Sequence, residues 1–157
     1  MSIRFKELIV ICFLLAFILF VNNRDSYSDV SIGTIEASVS ETAGLSGMES
    51  LGKLQLKKDF GINENDYDGV IYYGHQSVME CEKTLVIKLT DESQGKDLIN
   101  TIEKKRASDM ELFKSYAPDQ YKLLSDSVLI QKGNYLIYVV SDNARAVEKA
   151  FNDCITG

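Results

Sequence analysis

The chain of 157 residues contains one histidine and one proline. That scarcity narrows the chemistry. With His75 alone, a zinc site built on two imidazoles is excluded, and any Ser-His-Asp or Cys-His device has to use His75, with Cys81 six residues on. No G-x-S-x-G elbow, Walker loop or G-x-G-x-x-G turn occurs. The run Glu64-x-Asp66-x-Asp68-Gly69 copies the start of a calcium loop. It opens on Glu, however, carries His75 where the bidentate glutamate belongs, and leads into a strand pattern. It reads as an acidic turn. No catalytic residue, cofactor site or metal site is expected. The alternative is a small envelope hydrolase in which His75 works with Asp66, Asp68 or Glu80.

Positive charge is also short. Of 17 Lys and Arg and 23 Asp and Glu, the first 25 residues hold Arg4, Lys6 and Arg24 against Glu7 and Asp25, so the remainder is strongly acidic. An acidic body repels phosphate backbones, which argues against nucleic acid as a partner. The densest basic run, Lys104-Lys105-Arg106, lies in a helical pattern with acids nearby and reads as a solvated face.

One long apolar run is present, at residues 8–21. As a helix it spans about 21 Å at ~1.5 Å per residue, short of a ~30 Å hydrocarbon core. Ile3 and Phe5 extend it backwards, and Arg4 and Lys6 can reach the headgroups, so residues 3–21 suit a signal anchor. A cleaved signal peptide is the alternative, with Ser26 and Ser28 as the first small pair after the run. Cys12 is preceded by Ile11 where a lipid-attachment motif needs a small residue. The basic residues ahead of the run place the amino terminus in the cytoplasm. The expectation is a single-pass protein of the cell membrane, with residues 1–27 as anchor and tether and 28–157 as one extracytoplasmic domain; on the alternative reading that domain is secreted.

Residues 26–31 read as a polar tether. Val30, Ile32, Ile35, Val39 and Ala43 then make a helical stripe, and residues 48–61 make a second, short helix closed by Gly61. "DGVIYYG" is a strand. "CEKTLVIKLT" is another, with Lys83, Leu85, Ile87 and Leu89 alternating against Glu82, Thr84, Val86 and Lys88, as for a sheet half covered by helices. A helix follows with Leu98, Ile99, Ile102, Met110, Phe113 and Tyr116 inward, and Pro118 ends it and starts a new one. "SVLIQK" and "YLIYVV" form a hairpin around Gly133-Asn134, and the last helix turns Ala144, Val147, Phe151 and Cys154 inward. Thr90-Asp91 and Ser141-Asp142 are N-cap chemistry after similar strands. The fold class is therefore α+β: two amino-terminal helices, then ββα-ββα, with about four antiparallel strands packed with helices.

Cys81 and Cys154 lie in the exported part, where a disulfide is permitted; otherwise both are small buried hydrophobes. Tyr72, Tyr73, Tyr135 and Tyr138 all fall in strands. They are core if helices cover both faces of the sheet, or a recognition surface if one face stays open.

The segment 113–142 resembles a family of exported domains of unknown function from clostridial and related Gram-positive bacteria. The resemblance rests on Tyr116, Pro118 and Gln120 at the helix break, on Val128, Gly133, Asn134 and Tyr135 in the hairpin, and on Ser141-Asp142. The "LKKDFGI" turn at 56–62 also fits, and the likeness covers about residues 31–155. It implies a lipoprotein or single-span membrane protein and brings no activity with it. These motif residues have structural roles in helix stopping, turning and capping. The function expected is a noncatalytic binding or accessory module that meets an envelope protein or cell-wall component, or a small sensor subunit reporting to a membrane complex.

Overall fold

The computed structural model describes residues 3–22, 27–43, 45 and 47–157, with side chains of the first helix described from residue 9 to 18. In chain order the elements are α1 (Ile3–Asn22), α2 (Ile32–Ala43), β1 (Glu49–Ser50), α3 (Lys53–Phe60), a 3₁₀ turn (Glu64–Asp66), β2 (Gly69–Gly74), β3 (Lys83–Lys88), α4 (Gln94–Phe113), α5 (Pro118–Ser125), β4 (Val128–Lys132), β5 (Tyr135–Val140) and α6 (Ala144–Thr156). The five strands form one antiparallel sheet in the order β1-β2-β3-β5-β4. Two hairpins, β2–β3 and β4–β5, are thus joined through β3 and β5 and linked by α4 and α5. This is the expected α+β arrangement with an additional edge strand. β1 replaces the first turn of the helix expected from residue 48, and α3 ends at Gly61, whose φ of 72° suits the left-handed cap that only glycine adopts cheaply.

Helices cover both faces of the sheet. On one face, Leu56 and Phe60 of α3, Leu98 and Ile102 of α4 and Leu124 of α5 pack on the strand residues Leu85, Ile87, Leu136 and Tyr138. On the other, Ile35 and Val39 of α2 and Val147, Phe151 and Ile155 of α6 pack on Val86, Tyr135, Ile137 and Val139. All six residues of β5 are buried, as a continuous apolar run in a doubly covered central strand should be. The half-covered sheet expected from β3 is corrected here. Thr84 and Val86, on the side that looked mixed, are 1% and 0% exposed beneath the α2–α6 layer, and charge appears only at the strand ends, Lys83 and Lys88.

The connections follow local chemistry. Gly133 has a φ of 55°, which fits the first central position of a two-residue primed turn between Lys132 and Tyr135. Pro118 stands in the first turn of α5, and Ala117 before it leaves the helical region at φ −138°, ψ 73°. The break comes early enough to leave Tyr116 outside α4 and 48% exposed, so this residue is not on the inward stripe. The expected caps are displaced as well. Asp91 accepts from the Ser93 backbone at 2.9 Å, and the Ser141 hydroxyl donates to Asn143 at 2.8 Å, so each pair orders the residues just ahead of its helix rather than capping it directly. In α6 the inward set is Ala144, Val147, Phe151 and Ile155, with Cys154 half-buried.

Every described side chain of α1 is exposed. Among the described residues, no helix is long and apolar enough to cross a membrane. After α1, residues 27–31 lie along the domain. Ser28 donates its backbone N–H to the Ile155 carbonyl at 2.9 Å, and Lys88 holds Asp29 at 2.6 Å.

Candidate functional site

β2 ends at Gly74, paired with Lys83, and the chain returns to β3 through residues 75–82. This loop, α3 and the end of α4 enclose a groove of about 210 Å³ at one end of the sheet. His75 lines it. The imidazole Nδ1 meets Glu80 at 2.8 Å, while Nε2 lies 3.5 Å from Glu82, too long for a formed hydrogen bond, and that nitrogen is otherwise buried without a partner. Gly47, at φ 83°, passes over the ring; a Cβ there would stand 3.2 Å from the imidazole Cε1.

The floor carries two carboxylates in contrasting company. Asp59 of α3 accepts from the Tyr72 hydroxyl at 2.7 Å and from the Gln55 amide at 2.8 Å. Asp109 of α4, buried in its helix face, meets Lys83 at 3.5 Å and is bonded by Lys105 one turn earlier. The Lys83 ammonium also lies 5.8 Å from the centre of the Phe60 ring, which in turn packs edge-on against Tyr72 at 5.7 Å. Burial first, then the Asp59 hydrogen bond and charge, pushes the Tyr72 phenol well above the ordinary tyrosine range. Asp59 therefore has neutral donors, Asp109 has cations, and of the two glutamates only Glu80 reaches the histidine.

Cys81 does not serve His75 as a nucleophile. Its backbone N–H donates to the Gln120 side-chain oxygen at 2.8 Å, and its thiol donates to the Gln120 carbonyl at 3.4 Å. Burial pushes that thiol up to about 11. Gln120, singled out in the sequence at the helix break, thus fastens the end of the 75–82 loop to α5.

Of the carboxylates considered with His75, only Glu80 joins it. Asp66 and Asp68 precede β2 and His75 follows it, so a strand length separates them. The Asp68 carboxylate accepts from Thr90 at 3.3 Å, and the Asp66 carbonyl accepts from Gln94 at 3.1 Å, tying the acidic turn to the start of α4. Among the described residues no group of three or more His, Cys, Asp or Glu is arranged to hold a metal ion. Cys81 and Cys154 are both free; Cys81 packs in the layer of α3, α4 and α5, and Cys154 against the layer of α2 and α6 on the other face of the sheet. Tyr72, Tyr135 and Tyr138 are buried, and Tyr73 is half-buried with its hydroxyl donating to Glu36 at 2.7 Å; they form no open face.

Sequence reasoning passed over Gln55, Asp59, Glu82, Lys83, Lys105 and Asp109. One signal was available. Asp109 falls on the same helical stripe as Leu98, Ile102 and Phe113, and a charge at a core-facing position calls for a partner.

Residues 41–141 match DUF4358, a domain of unknown function, and the chain belongs to that family. The match takes in the whole sheet and the groove, and is shorter than the 31–155 stretch suggested by the sequence motifs. No curated protein and no solved structure matches the chain.

Proposed function

We propose that this DUF4358 member is a noncatalytic binding or accessory module of the cell envelope, tethered by α1 with its domain outside the membrane, and that the His75 groove is where it meets a partner. The observation carrying the reading is the surface of α1. Eight large apolar side chains between Ile9 and Ile18 are 43% to 77% exposed, on every side of the helix. A helix apolar all round has no wet face to keep in water, and its natural surroundings are lipid. The apolar run of residues 8–21 is extended backwards by Ile3 and Phe5, and the long side chains of Arg4 and Lys6 can reach headgroups, which makes up part of the length a bilayer asks for. Arg4 and Lys6 before the apolar run support a cytoplasmic amino terminus.

Binding rather than catalysis is supported by how the groups are spent. The sheet has both faces filled, so a partner has to approach at an end or a rim. At the groove, Asp59 and Asp109 are each engaged by two neighbouring side chains, and the Cys81 thiol is bonded to the Gln120 main-chain carbonyl. Val78, 84% exposed, and Leu112, 56% exposed, line the same groove and offer apolar contact beside the glutamates.

The test is fractionation of cells expressing the intact chain, followed by intact-mass measurement. Full-length protein that stays with membranes through high salt and leaves them in detergent supports the tether; full-length protein in the soluble fraction overturns it. A hydrolase that activates water on His75 has one observation in its favour, the 2.8 Å Glu80 contact that orients the imidazole. Turnover of ester or glycan substrates that disappears in His75→Gln would establish that reading against ours.

A further inference from the structure

We propose that residues 27–31 are a strap that fixes the domain's orientation on the bilayer, with the β4–β5 hairpin tip and the end of α6 facing the membrane and the His75 groove turned away from it. This rests on the membrane reading of α1 and adds a direction to it. The strap is built, not draped. Tyr135 is wholly buried, yet its hydroxyl accepts from the Val30 N–H and donates to the Val30 carbonyl, both at 2.8 Å, so a core side chain grips the backbone just ahead of α2. Lys88 adds Asp29 at 2.6 Å and the Val30 carbonyl at 3.3 Å, with its ammonium 5.5 Å from the Tyr135 ring centre. Ser28 is held by Ile155 at 2.9 Å. The ring of Tyr27 lies where a side chain at Gly133 would stand, so the hairpin turn carries glycine under the strap. Every one of these contacts is at the same end of the sheet.

Chain length supplies the rest. From Asn22, the last residue of α1, to Tyr27 there are five residue steps, at most about 18 Å of fully extended chain. The strapped end cannot lie farther than that from the end of α1. The groove sits at the other end of the strands. Lys88 is gripped by the strap and Lys83 lines the groove, five steps apart along β3, or about 17 Å at ~3.3–3.4 Å each. No attraction between the domain and headgroups is needed. The short connection and the buried Tyr135 clasp suffice to present the groove outward, to partners carried by the envelope rather than by the membrane surface.

The experiment places a donor dye at either end of the domain and an acceptor on lipid headgroups, with the full chain in vesicles. Thr156→Cys marks the strapped end and Val78→Cys the groove, each in a Cys12→Ser, Cys154→Ser background; the buried Cys81 stays unlabelled. Flotation of the vesicles comes first. Protein that fails to float overturns the membrane reading and the inference with it. Protein that floats with higher energy transfer at residue 156 than at 78, the two ends of β3 being ~17 Å apart, supports the strap. Equal transfer at the two ends, or higher transfer at 78, overturns the strap while leaving the anchor standing. A flexible Gly-Ser insert of about 12 residues after residue 25 leaves every strap contact intact and removes only the length restraint, so the contrast between the ends should vanish. If it persists, something other than chain length orients the domain, and the inference fails.

Discussion

Truncating Asp109 leaves a lysine stranded, and the cost can be worked out from its surroundings. The carboxylate side chain is 11% exposed and faces two cations that are not equivalent. Lys105 is 32% exposed and can swing into water once released. Lys83 is 12% exposed at the start of a central strand and cannot. Without Asp109 its ammonium keeps the Phe60 ring, worth about 0.5–2 kcal/mol, against the penalty of an unpaired, nearly buried charge. Breaking a fully buried pair costs about 3–5 kcal/mol; residual exposure and the ring bring Asp109→Leu to about 2–3 kcal/mol. Replacing both residues, Lys83→Met with Asp109→Leu, also removes the desolvation penalty and should fall within about 1 kcal/mol of the parent. The double-mutant coupling is then at least about 1 kcal/mol, rising by whatever Lys83→Met costs alone. Urea unfolding of the full chain in detergent micelles, followed by circular dichroism, reads this directly. With slopes of ~1–3 kcal/mol per molar, the single variant loses about 0.7–3 M in midpoint and the double loses little. A single variant within about 0.5 kcal/mol of the parent, or a double as unstable as the single, would show that Lys83 finds water and that the pair braces nothing.

Three further outcomes follow from the same structure. Phe151→Ala should cost about 3–5 kcal/mol in the same unfolding assay, because the ring is wholly buried between α6 and the sheet; a cost under about 1 kcal/mol would mean that this layer is not closed. Tyr72 and Tyr138 are both raised by burial above the ordinary tyrosine value of 10.0, so the folded chain keeps protons that the unfolded chain releases. Stability from these two groups is complete below pH ~10 and falls as pH rises beyond it, and an unfolding midpoint unchanged from pH 9 to 11 would contradict this. The Cys81 thiol, at about 11 against an ordinary 9.0, should carry about 100-fold less thiolate at pH 8 and react correspondingly more slowly with iodoacetamide than in the unfolded chain, as mass spectrometry of the labelled peptide would show. Gln120→Ala removes only the side-chain acceptor of the Cys81 N–H and leaves the Gln120 main-chain carbonyl to the thiol, so that gap should remain.

What was legible in the sequence was local. "YLIYVV", apolar on both faces, announced a central strand, and β5 is one. Gly133-Asn134, Pro118 and Gly61 each fixed a turn or a helix end through a backbone preference that needs no distant partner. The two residues of β1 have no period to read. Thr84 looked like a solvent-facing position because its neighbours Glu82 and Lys88 are charged, but those charges sit before and at the end of the strand, and the strand interior passes beneath α2 and α6. The groove was illegible for a different reason. His75, Asp59 and Asp109 come from three segments that meet only because β2 lies beside β3 and α3 beside α4, and no spacing along the chain encodes that.

The two lysines of β3 explain why the ends of this sheet, rather than its faces, carry what is not core. Five residues apart on a strand, Lys83 and Lys88 point to opposite faces, and each faces a helical layer where an unpaired ammonium would be costly. Both find an aspartate and lie near an aromatic ring: Asp109 with Phe60 for Lys83, Asp29 with Tyr135 for Lys88. The chemistry is the same, but the partners differ in kind. Asp109 belongs to a twenty-residue helix inside the domain, so the Lys83 pair braces the groove against α4. Asp29 belongs to the strand of chain arriving from α1, and its carboxyl is held below the usual range chiefly by its hydrogen bond to Lys88. One end of β3 therefore binds elements of the domain to one another, and the other binds the segment that follows α1. Under the proposed anchoring, the braced end is the one that faces away from the bilayer, and the groove lies there.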